Sequence, residues 1–302
     1  MMTDESRIRK IVAQHAYTAQ LMGVDFLPLA QRAETPGGGA ALPAEFETAF
    51  TPVQRATHDE DGFLGVPSKA KTSVAAKTPM LVGDELDWSP PKRRSGEDER
   101  AYRRRCLDAL REKYEEDAPH KQFVTAHTHI VFGDGDPCAR VTFVGEAPGE
   151  EEDRTGTPFV GRAGQLLNKQ IAAMGLSREE VYICNVLKTR PPGNATPTSR
   201  EVDLCRPYLL AQLAIVRPEA VVTLGIPATR ALLRTEESMA KMRGKWGSVK
   251  VAEGVSLPVL PTYHPAYLLR NYTDAARKMV WEDLQVVMNK LGLKRPAGKG
   301  MA

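Results

Sequence analysis

The 302-residue sequence has only four cysteines, Cys106, Cys138, Cys184 and Cys205, and no two of them stand close together. That excludes a disulfide framework and suits a reducing cytoplasm. No apolar run approaches the roughly 18 residues that a membrane span needs. The first ten residues, MMTDESRIRK, contain no apolar signal core, so a cytoplasmic protein is expected rather than an exported one. A net charge of only +3 neither requires nor forbids a nucleic-acid partner. Local cationic groups carry more weight: Lys92 to Arg94, Arg103 to Arg105, then Lys290, Lys294, Arg295 and Lys299. What is present is a hydrophobic fraction of 42%, ordinary for a chain with a core. The length allows one large domain, or a medium domain with an extension.

The chain divides unevenly. Ile8, Ile11, Val12, His15, Ala19 and Met22 recur at helical spacing and predict a short amphipathic helix. From Arg32 to about Asp98, Pro, Gly, Ala, Thr and charged residues predominate without periodicity, which reads as a flexible linker. It is either a tail with no dedicated function or the carrier of a short docking motif around Phe63, Leu64 and Val66. Residues 1–97 therefore form an expected extension, 98–296 a domain and 297–302 a flexible tail. Within the domain, Tyr102, Cys106, Leu110 and Tyr114 share one face of a charged helix. Strand and helix patterns then alternate: RVTFV, a helix from about Gly164, VYICNVL, TSREVDLCRPYLLAQLAIV, EAVVTLG, IPATRALL, VSLPVLPTYH and DAARKMVWEDLQVVMNKLG. This order predicts an α/β fold, a three-layer α/β/α arrangement around a mainly parallel sheet. Ligands of such sheets bind beyond the carboxyl ends of the strands. Three polar segments leave strands there: GEAPG, Asn185 and His264.

The segment GEAPGEEEDRTGTPFVGRAG, residues 145–164, is rich in glycine and acid, and one aromatic, Phe159, stands in it. With NVLKTRPPGNATPT and LPTYHPAYLLRN, in this order and spacing, it resembles the uracil-DNA glycosylase superfamily, and within it the family 4 type of bacteria and archaea. The resemblance runs from about Val131 to Leu293, roughly half the chain. It implies a DNA repair enzyme that flips uracil out of DNA and hydrolyses its N-glycosidic bond. Such a reaction passes through an oxocarbenium-like sugar and builds charge on uracil O2, so it wants a carboxylate with a positioned water and a donor to the leaving base.

The resemblance assigns roles residue by residue. Glu146 lies near the sugar and the attacking water; the alternatives are an N-cap or an ion-pair partner. Gly145 and Gly149 let backbone approach the flipped nucleotide. Ala147 stands where the best-known family of the superfamily has an activating Asp. Asn194 matches a position that holds the water, or is simply a turn Asn after Pro-Pro-Gly. Phe159 stacks on uracil, or plugs the core beneath its loop. Asn185 reads the base, its amide matching N3–H and O4 of uracil where cytosine offers the opposite pattern. Glu152 lies near C5, where bulk excludes a thymine methyl, while Glu150, Glu151 and Asp153 read as solvated. His264 donates to O2 as a neutral imidazole. Leu268, Leu269 and Arg270 follow on an exposed loop that enters the minor groove, and Arg162 and Lys188 reach flanking phosphates.

One feature departs from the family. Family 4 enzymes usually hold a four-iron cluster on four cysteines. Here Thr189 stands at the third ligand position, the upstream close pair is missing, and only Cys205 matches. No iron–sulfur cluster and no metal is therefore expected. Cys184 is expected to face away from that corner, and a packed replacement around His120 and Phe123 to support it. Three readings stay open: a cluster-free glycosylase acting as a monomer on uracil-containing DNA near the bacterial nucleoid; a diverged, weakly active or inactive binder of uracil-containing or single-stranded DNA; and a scaffold whose N-terminal extension docks a repair or replication protein.

Overall fold

The computed structural model describes residues 86–294. The expected helix at 8–22, the docking motif around Phe63 and the tail at 297–302 lie outside the described residues. A long helix, α1 (Glu99–Asp117), opens the domain; the Asp98 side chain caps it by accepting from Ala101 N at 2.9 Å. The strands β1 (Asp134–Gly135), β2 (Val141–Gly145), β3 (Tyr182–Asn185), β4 (Ala220–Leu224), β5 (Gly247–Ala252) and β6 (Val255–Thr262) form one sheet in the order β1-β3-β2-β4-β6-β5. The four central strands run parallel and the two edge strands antiparallel. Helices α2 (Glu150–Thr155), α3 (Arg162–Ala173), α4 (Ser199–Val216), α5 (Ile226–Leu233), α6 (Met239–Met242), α7 (Pro265–Arg270) and α8 (Asp274–Leu291) complete the domain.

Successive strand residues point to opposite faces, and each face buries its own core. Val144, Cys184, Val221 and Val259 pack on the α1, α4 and α5 side. Phe143, Ile183, Val222 and Leu260 pack with Leu167, Ile171 and Val280 on the side of α3 and α8. This is the expected three-layer α/β/α arrangement. Leu86 and Trp88, ahead of the expected boundary at 98, also pack against the first core. No helix among the described residues is long and apolar enough to cross a membrane.

The structure corrects three local expectations and adds one strand. The acidic stretch after GEAPG is not all loop: residues 150–155 form α2, too short to announce itself by periodicity. Asp153 on it is not solvated but 4% exposed, accepting from Thr128 N at 2.7 Å and His129 N at 3.0 Å. Burial would raise its carboxyl, but those backbone bonds outweigh burial and leave it lowered. Residues 265–270 are helix rather than exposed loop, because Pro265 at the first helical position needs no N–H partner. Finally, β5 and β6 form a hairpin about Glu253-Gly254, with Gly254 at φ +68°.

Candidate active site

The carboxyl ends of the parallel strands lie level, since Gly145 pairs with Asn185 and Leu224 with Thr262. Just beyond them is a cavity of about 710 Å³, lined by Glu146, Ala147, Gly149, Glu152, Phe159, Asn185, Asn194, His264 and Arg270, among others. Segments more than a hundred residues apart are thus brought to one place. At Gly145, the strand residue just before Glu146, a Cβ would collide with both Asn185 Oδ1 and the Phe159 ring. Here only glycine fits.

Burial raises the carboxyl of the half-buried Glu146, while a hydrogen bond from Thr196 and the charge of Arg270 pull it back. Asn185 is 1% exposed, and its Oδ1 is buried without a hydrogen-bond partner. A buried unpaired amide oxygen is destabilising unless something fills the site. His264 Nδ1 accepts from Ala266 N at 3.1 Å. The ring proton of the neutral imidazole is therefore on Nε2, free to be given away. Burial, reinforced by Arg270, lowers its pKa to about 4, so the ring is neutral at pH 7. Phe159 stands 5.6 Å from the His264 ring, inclined at 37°.

Two side chains are more committed than expected. Glu152 Oε1 accepts from Val160 N and Gly161 N, both at 2.8 Å, and its Oε2 from Gly149 N at 3.2 Å. What it presents to the cavity is bulk, with its charge already shared among backbone N–H groups. Asn194, exposed and at φ +55°, accepts on its Oδ1 from Arg190 Nε at 2.9 Å, so its amide nitrogen is what it can turn to a ligand.

Other expected residues fall outside the cavity. Arg162 is exposed at the start of α3. Leu268 is 2% exposed and belongs to the core under α7, so it does not serve as a wedge in this conformation; its neighbour Leu269, 37% exposed, faces out. Lys188 is corrected too. It is fully buried, donating to Asn185 O at 2.7 Å and to Gln212 Oε1, with its ammonium 5.3 Å from the centre of the Phe132 ring. Burial lowers its pKa, and nothing of it reaches a phosphate. Lys188→Met is expected to destabilise the fold by about 1–3 kcal/mol in denaturant titrations, by orphaning the Asn185 carbonyl. The slope of log affinity for DNA against log salt stays unchanged, whereas loss of a phosphate contact would reduce it by about 1.

Three residues of the site were not foreseen. Thr196, in the ATPT stretch after Asn194, hydrogen-bonds Glu146. Tyr263 and Tyr267 stack at 4.6 Å on the cavity wall. The TYHPAY pattern holds that aromatic pair in plain view, Tyr263 directly before His264 and Tyr267 one helical turn after it.

The residues at the family's cluster corner do not fit an iron–sulfur cluster. Thr189 and Cys205 are both fully buried, and the Tyr114 hydroxyl stands 3.9 Å from Cys205 Sγ. The Tyr114 ring stacks on His120 at 5.5 Å and meets Tyr208 edge-on at 5.0 Å. Phe123 packs against the same core. Cys184, expected to face away, points into that core as well. Among the described residues no group of three or more His, Cys, Asp or Glu could hold a metal ion.

Comparison with known proteins agrees with this geometry. A family model described as the uracil DNA glycosylase superfamily matches residues 132–285. The type-4 uracil-DNA glycosylase of Thermotoga maritima is 46% identical over 162 residues, 52% of this chain and 81% of that protein. The corresponding enzyme of Saccharolobus solfataricus is 43% identical over 171 residues, 55% and 78% of the two chains. A type-5 uracil-DNA glycosylase of Pyrobaculum aerophilum is 39% identical over 149 residues, 44% and 64%. The family match spans the strands whose ends build the cavity, together with every residue that lines it, and the chain belongs to the uracil-DNA glycosylase superfamily.

Proposed function

We propose that this cavity receives a uracil flipped out of DNA and hydrolyses its N-glycosidic bond, leaving an abasic site. The observation that carries the proposal is Asn185: a buried amide with an unpaired oxygen, at the floor of a cavity that also holds Glu146, Phe159 and His264. Uracil N3–H supplies the missing donor, and the amide nitrogen in turn donates to O4. Phe159 takes the face of the base. As the bond between C1′ and N1 breaks, its electron pair leaves with the base and spreads onto O2, where His264 Nε2–H donates. Water adds its oxygen to C1′ and passes a proton to Glu146, which Thr196 holds in place. Asn194, through its amide nitrogen, orients that water.

The DNA strand runs over the rim formed by Arg270 and Leu269. Tyr272, 63% exposed and with the Arg277 guanidinium 5.3 Å from its ring centre, lies beside them as a stacking surface. Leu269 replaces Leu268 as the side chain that fills the gap in the stack, and Arg162 is free to meet a flanking phosphate. The four cysteines are free and suit a cytoplasmic monomer. Residues up to about 97 form an extension, with Leu86 and Trp88 as its foothold on the catalytic domain.

The enzyme works without the family's iron–sulfur cluster. Tyr114 fills the corner between Thr189 and Cys205, and the stack with His120 and Tyr208 supplies there the rigidity that a cluster lends. Purified protein is accordingly expected to be colourless, with iron far below one atom per chain. A brown protein with about four irons per chain contradicts this. Activity is tested by alkaline strand scission at a uracil in single-stranded and U:G duplex oligonucleotides. Protein that shifts the DNA but opens no alkali-labile site is a binder.

A further inference from the structure

The loop that carries Phe159 is held from two sides by the charged side chains of Arg178 and Glu152. Arg178, in the short 3₁₀ turn ahead of β3, donates from Nη2 to Pro158 O at 2.5 Å and from Nη1 to Phe159 O at 3.0 Å. The same guanidinium reaches Asn168 Oδ1 at 3.1 Å and Asp134 Oδ2 at 3.3 Å, which fix its plane. On the other side Glu152 takes the next two N–H groups, those of Val160 and Gly161. Phe159, between the two grips, has φ +53°. A bulky residue keeps that left-handed conformation only where its surroundings impose it. Behind it Gly164 leaves no room for retreat, since a Cβ there would overlap the Phe159 carbonyl.

We propose that Arg178 is a positioning residue: with Glu152 opposite, it locks the 158–161 backbone so that Phe159 presents its ring face to the base beside Asn185 and His264. The proposal rests on the cavity's being the uracil site. An arginine is required, because one planar fork serves two successive carbonyls while two further acceptors orient it; a lysine ammonium has no such plane. Prepaid ordering of this kind spares the base the work of arranging its own stacking partner.

The test compares wild type, Arg178→Ala, Arg178→Lys, Phe159→Ala and the Arg178→Ala/Phe159→Ala double variant. The readouts are kcat and KM on a single-stranded uracil oligonucleotide and inhibition by free uracil. Arg178→Ala is expected to lower kcat and weaken uracil inhibition each by about 10-fold or more, the range of a lost stacking contact. KM for the DNA should change by no more than about 2-fold, because the phosphate contacts are untouched. Lysine should not rescue. In the Phe159→Ala background the same change should alter kcat by less than about 2-fold, since both act through one ring. Equal losses in both backgrounds, or unchanged uracil inhibition, overturn the proposal. If Arg178→Ala melts too low to assay, Arg178→Gln, which can still serve one carbonyl, enters the same cycle with the same expected outcome. A wild type that releases no uracil overturns this proposal and the function together. An active wild type whose Phe159→Ala variant is equally active overturns this proposal and leaves the glycosylase standing.

Discussion

His264→Ala is expected to slow uracil release by about 10²- to 10³-fold, the usual consequence of removing one donor to a developing oxyanion. Binding to DNA should be nearly unaffected. The size of the effect follows from how the ring is prepared. The Ala266 N–H holds Nδ1 as an acceptor, so the single proton of the neutral ring sits on Nε2. Burial and Arg270 lower the pKa to about 4, so no proton has to be shed before the ring can act as a neutral donor. The pH profile carries the same signature. An ordinary histidine changes charge near pH 6.5, but here kcat/KM should pass through that region without a step from His264, which charges only as pH falls through about 4. The first loss on acidification belongs to Glu146, whose carboxyl burial raises above the usual glutamate value, and Glu146→Gln should abolish that limb. Stability follows the sign of the histidine shift. The unfolded chain binds a proton at a higher pH than the native one, so this contribution is complete above about pH 6.5 and is lost as pH falls toward 4.

The second large effect concerns base choice. Asn185→Asp is expected to reduce uracil release by about 10- to 10²-fold, because an ionised carboxylate still accepts from N3–H but has no donor for O4, and one such mismatch is worth about 1–3 kcal/mol at a buried site. The side chain cannot turn away to relieve the mismatch: it is 1% exposed, with Gly145 and Phe159 against it and its own carbonyl held by Lys188. Where burial keeps the aspartate neutral its proton can sit on either oxygen, so it can also donate to cytosine N3 and accept from N4–H, which an amide held in one orientation cannot do. The ratio of uracil to cytosine release, measured by competition in one oligonucleotide, should therefore fall. Unchanged uracil release by this variant would mean that Asn185 does not read the base.

The architecture was legible because its signals are local. Apolar strands alternate with helical periods, and polar residues stand at the ends of the strands, so the sheet and the side on which the site lies could be read directly. Asn185 and His264 belong to this class. What escaped depends on contacts across long separations. Lys188 looks like a surface charge until Gln212 and Phe132, brought in from α4 and from the segment ahead of β1, close over it. Asp153 looks solvated until the backbone of Thr128 and His129 reaches it. Leu268 and Leu269 are indistinguishable as letters; only the turn of α7 decides which one is core. The Arg178 clamp on Phe159 has no sequence pattern at all. The corner occupied by Tyr114 was half legible: a missing cysteine could be seen at Thr189, but not the aromatic stack that fills its place.

The most direct measurement is alkaline strand scission of three single-stranded oligonucleotides that differ only in carrying uracil, thymine or cytosine at one position. Wild-type protein should give breaks at uracil alone, and His264→Ala, whose folding is verified by an unchanged circular dichroism spectrum, should lose at least about 10²-fold. DNA binding without breaks, or breaks that persist undiminished in His264→Ala, would contradict the proposed function.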